Sequence, residues 1–167
     1  KRYPLFPILI KFIDATDRLS LQVHPDAGHL PRFDATKSGK SEAWVILDAL
    51  PESCIYAGLK QGIGPEQLRK HLKQGTVEEC LHSYPVQKGD CVYIPAGTLH
   101  AIGEGILLAE VQQTSDVTYR LFDWHRLDQS GSPRPVHVEQ AISCIDFDLG
   151  PVDLLEPEKQ SRANHQI

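Results

Sequence analysis

The sequence predicts a single all-β domain, a sandwich or closed barrel with one or two short helices. Three observations carry this. Short β-rich runs recur at fairly even spacing, turn residues bound most of them, and only one segment has a helix start and a helix stop together. The runs, in order, are 7–13 (PILIKFI), 20–24 (SLQVH), 43–47, Cys54–Leu59, 81–86, Cys91–Ile94, 105–112 and 118–123. The helix falls at Pro65–Gln74, where Pro65 suits the first helical position and Gly75 the residue just past the end. Three segments interrupt the alternation: a long turn-rich connection over 25–39, a tight turn over 95–97, and a loop over 128–135 (DQSGSPRP). The tail over 156–167 is polar and unpatterned, which sets the domain at 1–155.

With 167 residues the chain is long enough to bury one sizeable core. Its formal net charge is −5 and no Lys/Arg cluster stands out, which excludes a nucleic-acid surface built on phosphate neutralisation. No apolar run approaches the roughly 18–20 residues of a spanning helix, so no membrane partner is expected. Cys54, Cys80, Cys91 and Cys144 are scattered without a C-x-x-C pair, and no export signal is visible. Reduced, structural thiols and a cytoplasmic location follow. Nothing in the pattern demands more than a monomer or a homodimer.

The strongest local signal spans 89–100 (GDCVYIPAGTLH) and reads G-x5-P-x-G-x-x-H. It is a strand, a Pro/Gly corner, and a histidine entering the next strand. Pro95 fixes the entry angle and Gly97 is free to take a positive φ, so His100 is aimed from a rigid corner. Gln22 and His24 lie two apart on a strand and share a face, as do Lys40 and Glu42. Two imidazoles, one carboxylate and one amide oxygen make a four-ligand set with room for water or substrate. That set suits zinc, and also manganese, iron or cobalt. His29, His71, His82, His125, His137 and His165 lack such a context and read as packed or surface residues.

Over 89–100 the chain matches the second cupin motif at every fixed position up to the histidine. Together with 22–25 (QVHP), 39–42 (GKSE) and 112–120 (QQTSDVTYR), it resembles the type I mannose-6-phosphate isomerases, most of all the short bacterial form. The resemblance runs in order over about 5–138. It implies a cupin-type β-barrel (jelly roll) holding one divalent metal, zinc, on Gln22, His24, Glu42 and His100. Glu42 stands 18 residues after His24, as in the isomerases, where the general cupin motif has its glutamate a few residues on. Glu104 replaces the asparagine that closes the second motif in many cupins. Against that family, the N-terminal lead-in is mostly missing and the C-terminal part is too short for a second cupin.

The resemblance further implies interconversion of mannose 6-phosphate and fructose 6-phosphate, a proton transfer between C1 and C2 through an enediol(ate). Such a reaction needs a stabilised oxyanion, a base, and a remote phosphate anchor. Arg120 matches the family's active-site arginine. If 116–120 is extended, Asp116, Thr118 and Arg120 share a face, and Asp116 either fixes the arginine or acts on a proton. Lys11 sits within an apolar strand, where burial would ease loss of its proton, or else it snorkels from an edge. Lys40 should face the metal pocket as base or phosphate partner. Tyr93, Trp44 and Trp124 read as core, and Arg32 and Lys37 as solvated charges. Two rival classes remain at this stage: a non-catalytic metal-containing cupin that binds a sugar or sugar phosphate, and an iron dioxygenase. Gln22 in place of a histidine speaks against the latter.

Overall fold

A computed structural model describes residues 6–26 and 39–156. The tail over 157–167, the loop residues Arg32 and Lys37, and His29 and His165 lie outside the described residues.

The strands are β1 (Ile8–Ala15), β2 (Leu21–Val23), β3 (Glu42–Ala49), β4 (Cys54–Leu59), β5 (Leu81–Pro85), β6 (Cys91–Ile94), β7 (His100–Ile102), β8 (Ile106–Gln113) and β9 (Tyr119–Phe122). They form two antiparallel sheets, one ordered β1-β8-β3-β6 and the other β5-β4-β7-β2-β9. The expected all-β barrel is therefore present. Two helices accompany it, α1 (Pro65–Gln74) and α2 (Val138–Cys144), with a short 3-10 turn over Val77–Cys80. None of the described helices is long and apolar enough to cross a membrane.

Period-two alternation sorts side chains into two cores. Trp44, Ile46, Ile55, Ala57, Val92, Ile94, Ile102, Ile106 and Leu108 fill the space between the sheets. Leu21, Val23, Tyr56, Ala101 and Leu121, from the opposite face of the five-stranded sheet, pack against Leu68 of α1 and Ala141 and Ile142 of α2. Strand β4 shows the division residue by residue: Ile55 and Ala57 enter the first core, Tyr56 and Leu59 the second. Trp44 is fully buried, as its strand position suggests, whereas Tyr93 is exposed on the outer face of the four-stranded sheet.

Helix α1 starts after Gly64, whose backbone N–H donates to Gln67 Oε1 at 2.9 Å, and stops at Gly75 with φ 72°. Helix α2, the second of the one or two short helices expected, has no side-chain cap, and no start or stop signal in the sequence locates it. It exists because Ala141 and Ile142 are buried against the sheet.

Candidate metal centre

The site forms where the two sheets face each other at one end of the barrel. Gln22 is in register with His100 on one side and Arg120 on the other, so β7, β2 and β9 present neighbouring side chains. His24 follows β2 directly. Glu42 opens β3 in the opposite sheet, in register with Gln112 and Ile94. The 95–97 corner is tied to β2 by Gly97 N–H donating to His24 O at 2.8 Å.

Three side chains converge. His100 Nε2 is 3.3 Å from Glu42 Oε1, and His24 Nε2 is 3.5 Å from Glu42 Oε2. All three side chains are 1 % exposed. Each imidazole is fixed by its other nitrogen: His24 Nδ1–H donates to Val117 O (3.0 Å), with the Thr118 hydroxyl at 3.2 Å, and His100 Nδ1–H donates to Thr98 O (2.8 Å). Both Nε2 lone pairs therefore point at the carboxylate. Neither Glu42 oxygen has a well-formed hydrogen bond among the described residues, although Lys40 Nζ lies 3.0 Å from Oε2. Three electron-pair donors converge on one point, and the Lys40 ammonium, 3.0 Å from both His24 Nε2 and Glu42 Oε2, marks the place of a cation. The spacing fits one: donors about 2.0–2.1 Å from a tetrahedral zinc lie roughly 3.3 Å apart. Gln22 is the fourth member. Its amide nitrogen is 3.4 Å from His100 Nε2, and a half-turn of the amide puts the oxygen there. The Ser20 hydroxyl at 3.2 Å can serve either orientation.

Burial alone would raise the Glu42 carboxyl, but the two imidazoles and the Lys40 ammonium outweigh it and hold that group well below the usual carboxylate range. Burial pushes His100 down to about 4, with Glu42 opposing. The site near neutral pH is thus a carboxylate beside a neutral His100, the states a metal requires.

The adjoining cavity, about 180 Å³, is lined by Lys11, Ser20, Gln22, Lys40, Glu42, Trp44, His100, Glu110 and Thr118 among others. Lys40 is 5 % exposed and its ammonium also lies 3.0 Å from His24 Nε2. Lys11 points into the same cavity, but it is not enclosed. Its side chain is 42 % exposed, donates to Glu110 Oε1 at 2.9 Å, and donates to Gln112 Oε1. The desolvation argued from the strand is therefore missing. Glu110, 5 % exposed, belongs to the site although none of the sequence motifs marks it. A signal was there: Ile106, Leu108, Glu110 and Gln112 share one strand face, and two polar residues on a core face mark a site.

Arg120 and Asp116 are not on the cavity wall. The Arg120 guanidinium donates to Pro135 O at 2.8 Å and leans along β9 toward Asp123. Asp116 is exposed on the irregular stretch between β8 and β9, where extended periodicity fails.

Gly97 has φ 90°, and a Cβ added there would lie 3.1 Å from Asp146 Cβ. Gly97→Ala should cost roughly 1–2 kcal/mol in left-handed strain, about 2–8 °C in thermal midpoint. By tilting the corner that aims His100 it should also weaken metal binding about tenfold. Calorimetry and a metal-buffer titration check both effects.

No family profile matches the chain. It is 40% identical over 141 residues to a mannose-6-phosphate isomerase of Streptococcus mutans, a match covering 84% of this chain and 44% of that protein. A crystal structure of the mannose 6-phosphate isomerase from Bacillus subtilis superposes with a TM-score of 0.84 at 34% identity, over 95% of this chain and 50% of that one. A zinc-bound mannose 6-phosphate isomerase shares the fold at 16% identity and a TM-score of 0.56, over 84% of this chain and 54% of that one. The chain spans about half the length of these relatives. Within that span, sequence and fold together place it in the type I mannose-6-phosphate isomerase family, on a cupin-type barrel.

Proposed function

We propose that the chain carries the catalytic barrel of a metal-dependent aldose–ketose isomerase acting on mannose 6-phosphate and fructose 6-phosphate. One observation carries this reading: a single cavity runs from Glu42 and His100 of the metal trio to the Lys11–Glu110 ion pair, a cation site beside an acid–base pair. The relatives' names supply the substrate.

Gln22, His24, Glu42 and His100 would hold the metal. The donor set and the zinc-bound relative favour zinc, which polarises sugar oxygens as a Lewis acid when bound. The rest of the chemistry belongs to the protein. Glu110 Oε1 takes the proton from one carbon of the C1–C2 pair and returns it to the other, while Lys11 Nζ at 2.9 Å balances the carboxylate between transfers. Lys40, on the opposite wall, orients a sugar hydroxyl through its three donors. Trp44 closes the floor of the cavity against water. Val117, Thr118 and Thr98 keep both imidazoles in the ligating tautomer. Arg120 is in register with Gln22 but lies off the cavity wall, so this reading gives neither it nor the exposed Asp116 a part in the proton transfer. The four cysteines are free, which fits the cytoplasm.

A coupled assay converting fructose 6-phosphate to mannose 6-phosphate tests the assignment. Chelation should remove activity and zinc should restore it. Stoichiometric zinc without turnover would instead leave a sugar-binding cupin.

A further inference from the structure

Beyond the metal cavity, Asp123 gathers three guanidiniums at the far end of β9. Arg134 donates from Nε (2.7 Å) and from Nη2, and Arg126 donates from Nη2 (2.7 Å). Arg120 Nε lies 3.9 Å from the same carboxylate. The loop after β9 is built to deliver Arg134. Asp128 accepts from the Ser130 and Ser132 backbones, Leu127 bridges Pro133, and His137 N–H donates to Arg120 O at 2.7 Å.

One carboxylate does not neutralise three guanidiniums. The next acid, Asp17, is 3.5 Å from Arg126 and 66 % exposed. Arg120 Nε and Arg126 Nε are buried without an acceptor among the described residues. Burial first, and then repulsion from Arg134 and Arg126, hold the Arg120 guanidinium below its ordinary value despite the attraction of Asp123. Asp123 occupies one edge of the Arg134 fork, and the rigid geometry turns the remaining N–H groups away from it. Donors in surplus, charge in surplus and a braced geometry are what a phosphate asks for.

We propose that this cluster is an anion site that takes the phosphate of the sugar-phosphate substrate, with Arg126 and Arg134 as direct donors and Asp123 positioning them. It rests on the isomerase reading above. The distance suits the substrate. Arg120 is level with Gln22, and Asp123 follows three residues later, about 10 Å along a strand. Seven bonds of about 1.5 Å, zig-zagged from C1 to phosphorus, span roughly 9 Å. The two lengths match, so a sugar with its C1 and C2 oxygens at the metal is long enough to reach the Asp123 cluster with its phosphate.

The test uses the full zinc-loaded chain and the variants Arg134→Gln and Arg126→Gln, with Arg69→Gln as a surface control. Inorganic phosphate at millimolar concentration should raise the thermal midpoint of the unaltered protein and of the control. It should do so much less in the two cluster variants. Their KM for fructose 6-phosphate should rise on the order of ten- to a hundredfold, with zinc content unchanged and isomerisation of unphosphorylated fructose at control level. Asp123→Asn should reproduce the KM defect in weaker form. Absence of a phosphate-dependent shift in the unaltered protein, or equal shifts in the variants and the control, overturns the anion site whatever the activity. Should no protein isomerise sugar while the shift is present and lost in the variants, the anion site stands and the isomerase reading falls.

Discussion

Glu42→Ala protein should purify without stoichiometric metal. Substitutions of residues that merely orient a ligand cost about 10–100-fold in affinity, and Glu42 is itself one of three converging donors, so the loss should exceed that range. A second effect accompanies it. The Lys40 ammonium, 5 % exposed, lies 3.0 Å from Glu42 Oε2. Removing the carboxylate leaves that charge buried without its partner, at a cost of about 3–5 kcal/mol. The metal-free variant should therefore melt about 6–20 °C below the unaltered protein. Lys40→Met separates the two effects. It leaves Glu42 buried against the two imidazoles without its ammonium partner, so the metal-free form is again weakened, but the ligands remain. Added zinc should then raise its melting temperature by more than it raises that of the unaltered protein. Equal zinc-induced shifts in the two would mean that Lys40 does not occupy the cation's place.

That trio was legible in the sequence because each member is fixed by local rules. Strand parity puts Gln22 and His24, and likewise Lys40 and Glu42, on common faces. Turn chemistry at Pro95 and Gly97 aims His100. The same locality explains helix α1, whose start and stop are written in Pro65 and Gly75. What was not legible depends on partners far along the chain. Helix α2 has only seven residues and no side-chain cap, and it is held by the sheet beneath Ala141 and Ile142. Glu110 gains its meaning from register with Lys11, 99 residues away. Asp116 would share a face with Arg120 only on an extended strand, but β9 begins at Tyr119. The direction of the Arg120 side chain is set by Pro135 and Asp123, which reach it through a return loop that no periodicity describes.

Glu110→Gln is the substitution that should strike the chemistry and spare everything around it. The amide keeps the shape, and Gln Oε1 can still accept from Lys11 Nζ, so folding and the cavity wall should be preserved. It cannot take up a proton from carbon. Loss of a positioned base costs about 10²–10⁴ in rate, and that fall should appear in kcat with KM little changed. Metal content should stay stoichiometric, because Glu110 touches Lys11 rather than the imidazoles. Exchange of the substrate's C2 proton with deuterated solvent should fall in parallel, which separates a lost proton transfer from slow product release. Lys11→Met removes the partner instead of the base and should give a smaller loss in kcat. If Glu110→Gln turned over at the ordinary rate while Lys40→Met did not, the proton would move on the opposite wall, through Lys40, and Lys11–Glu110 would be a structural pair joining β1 to β8.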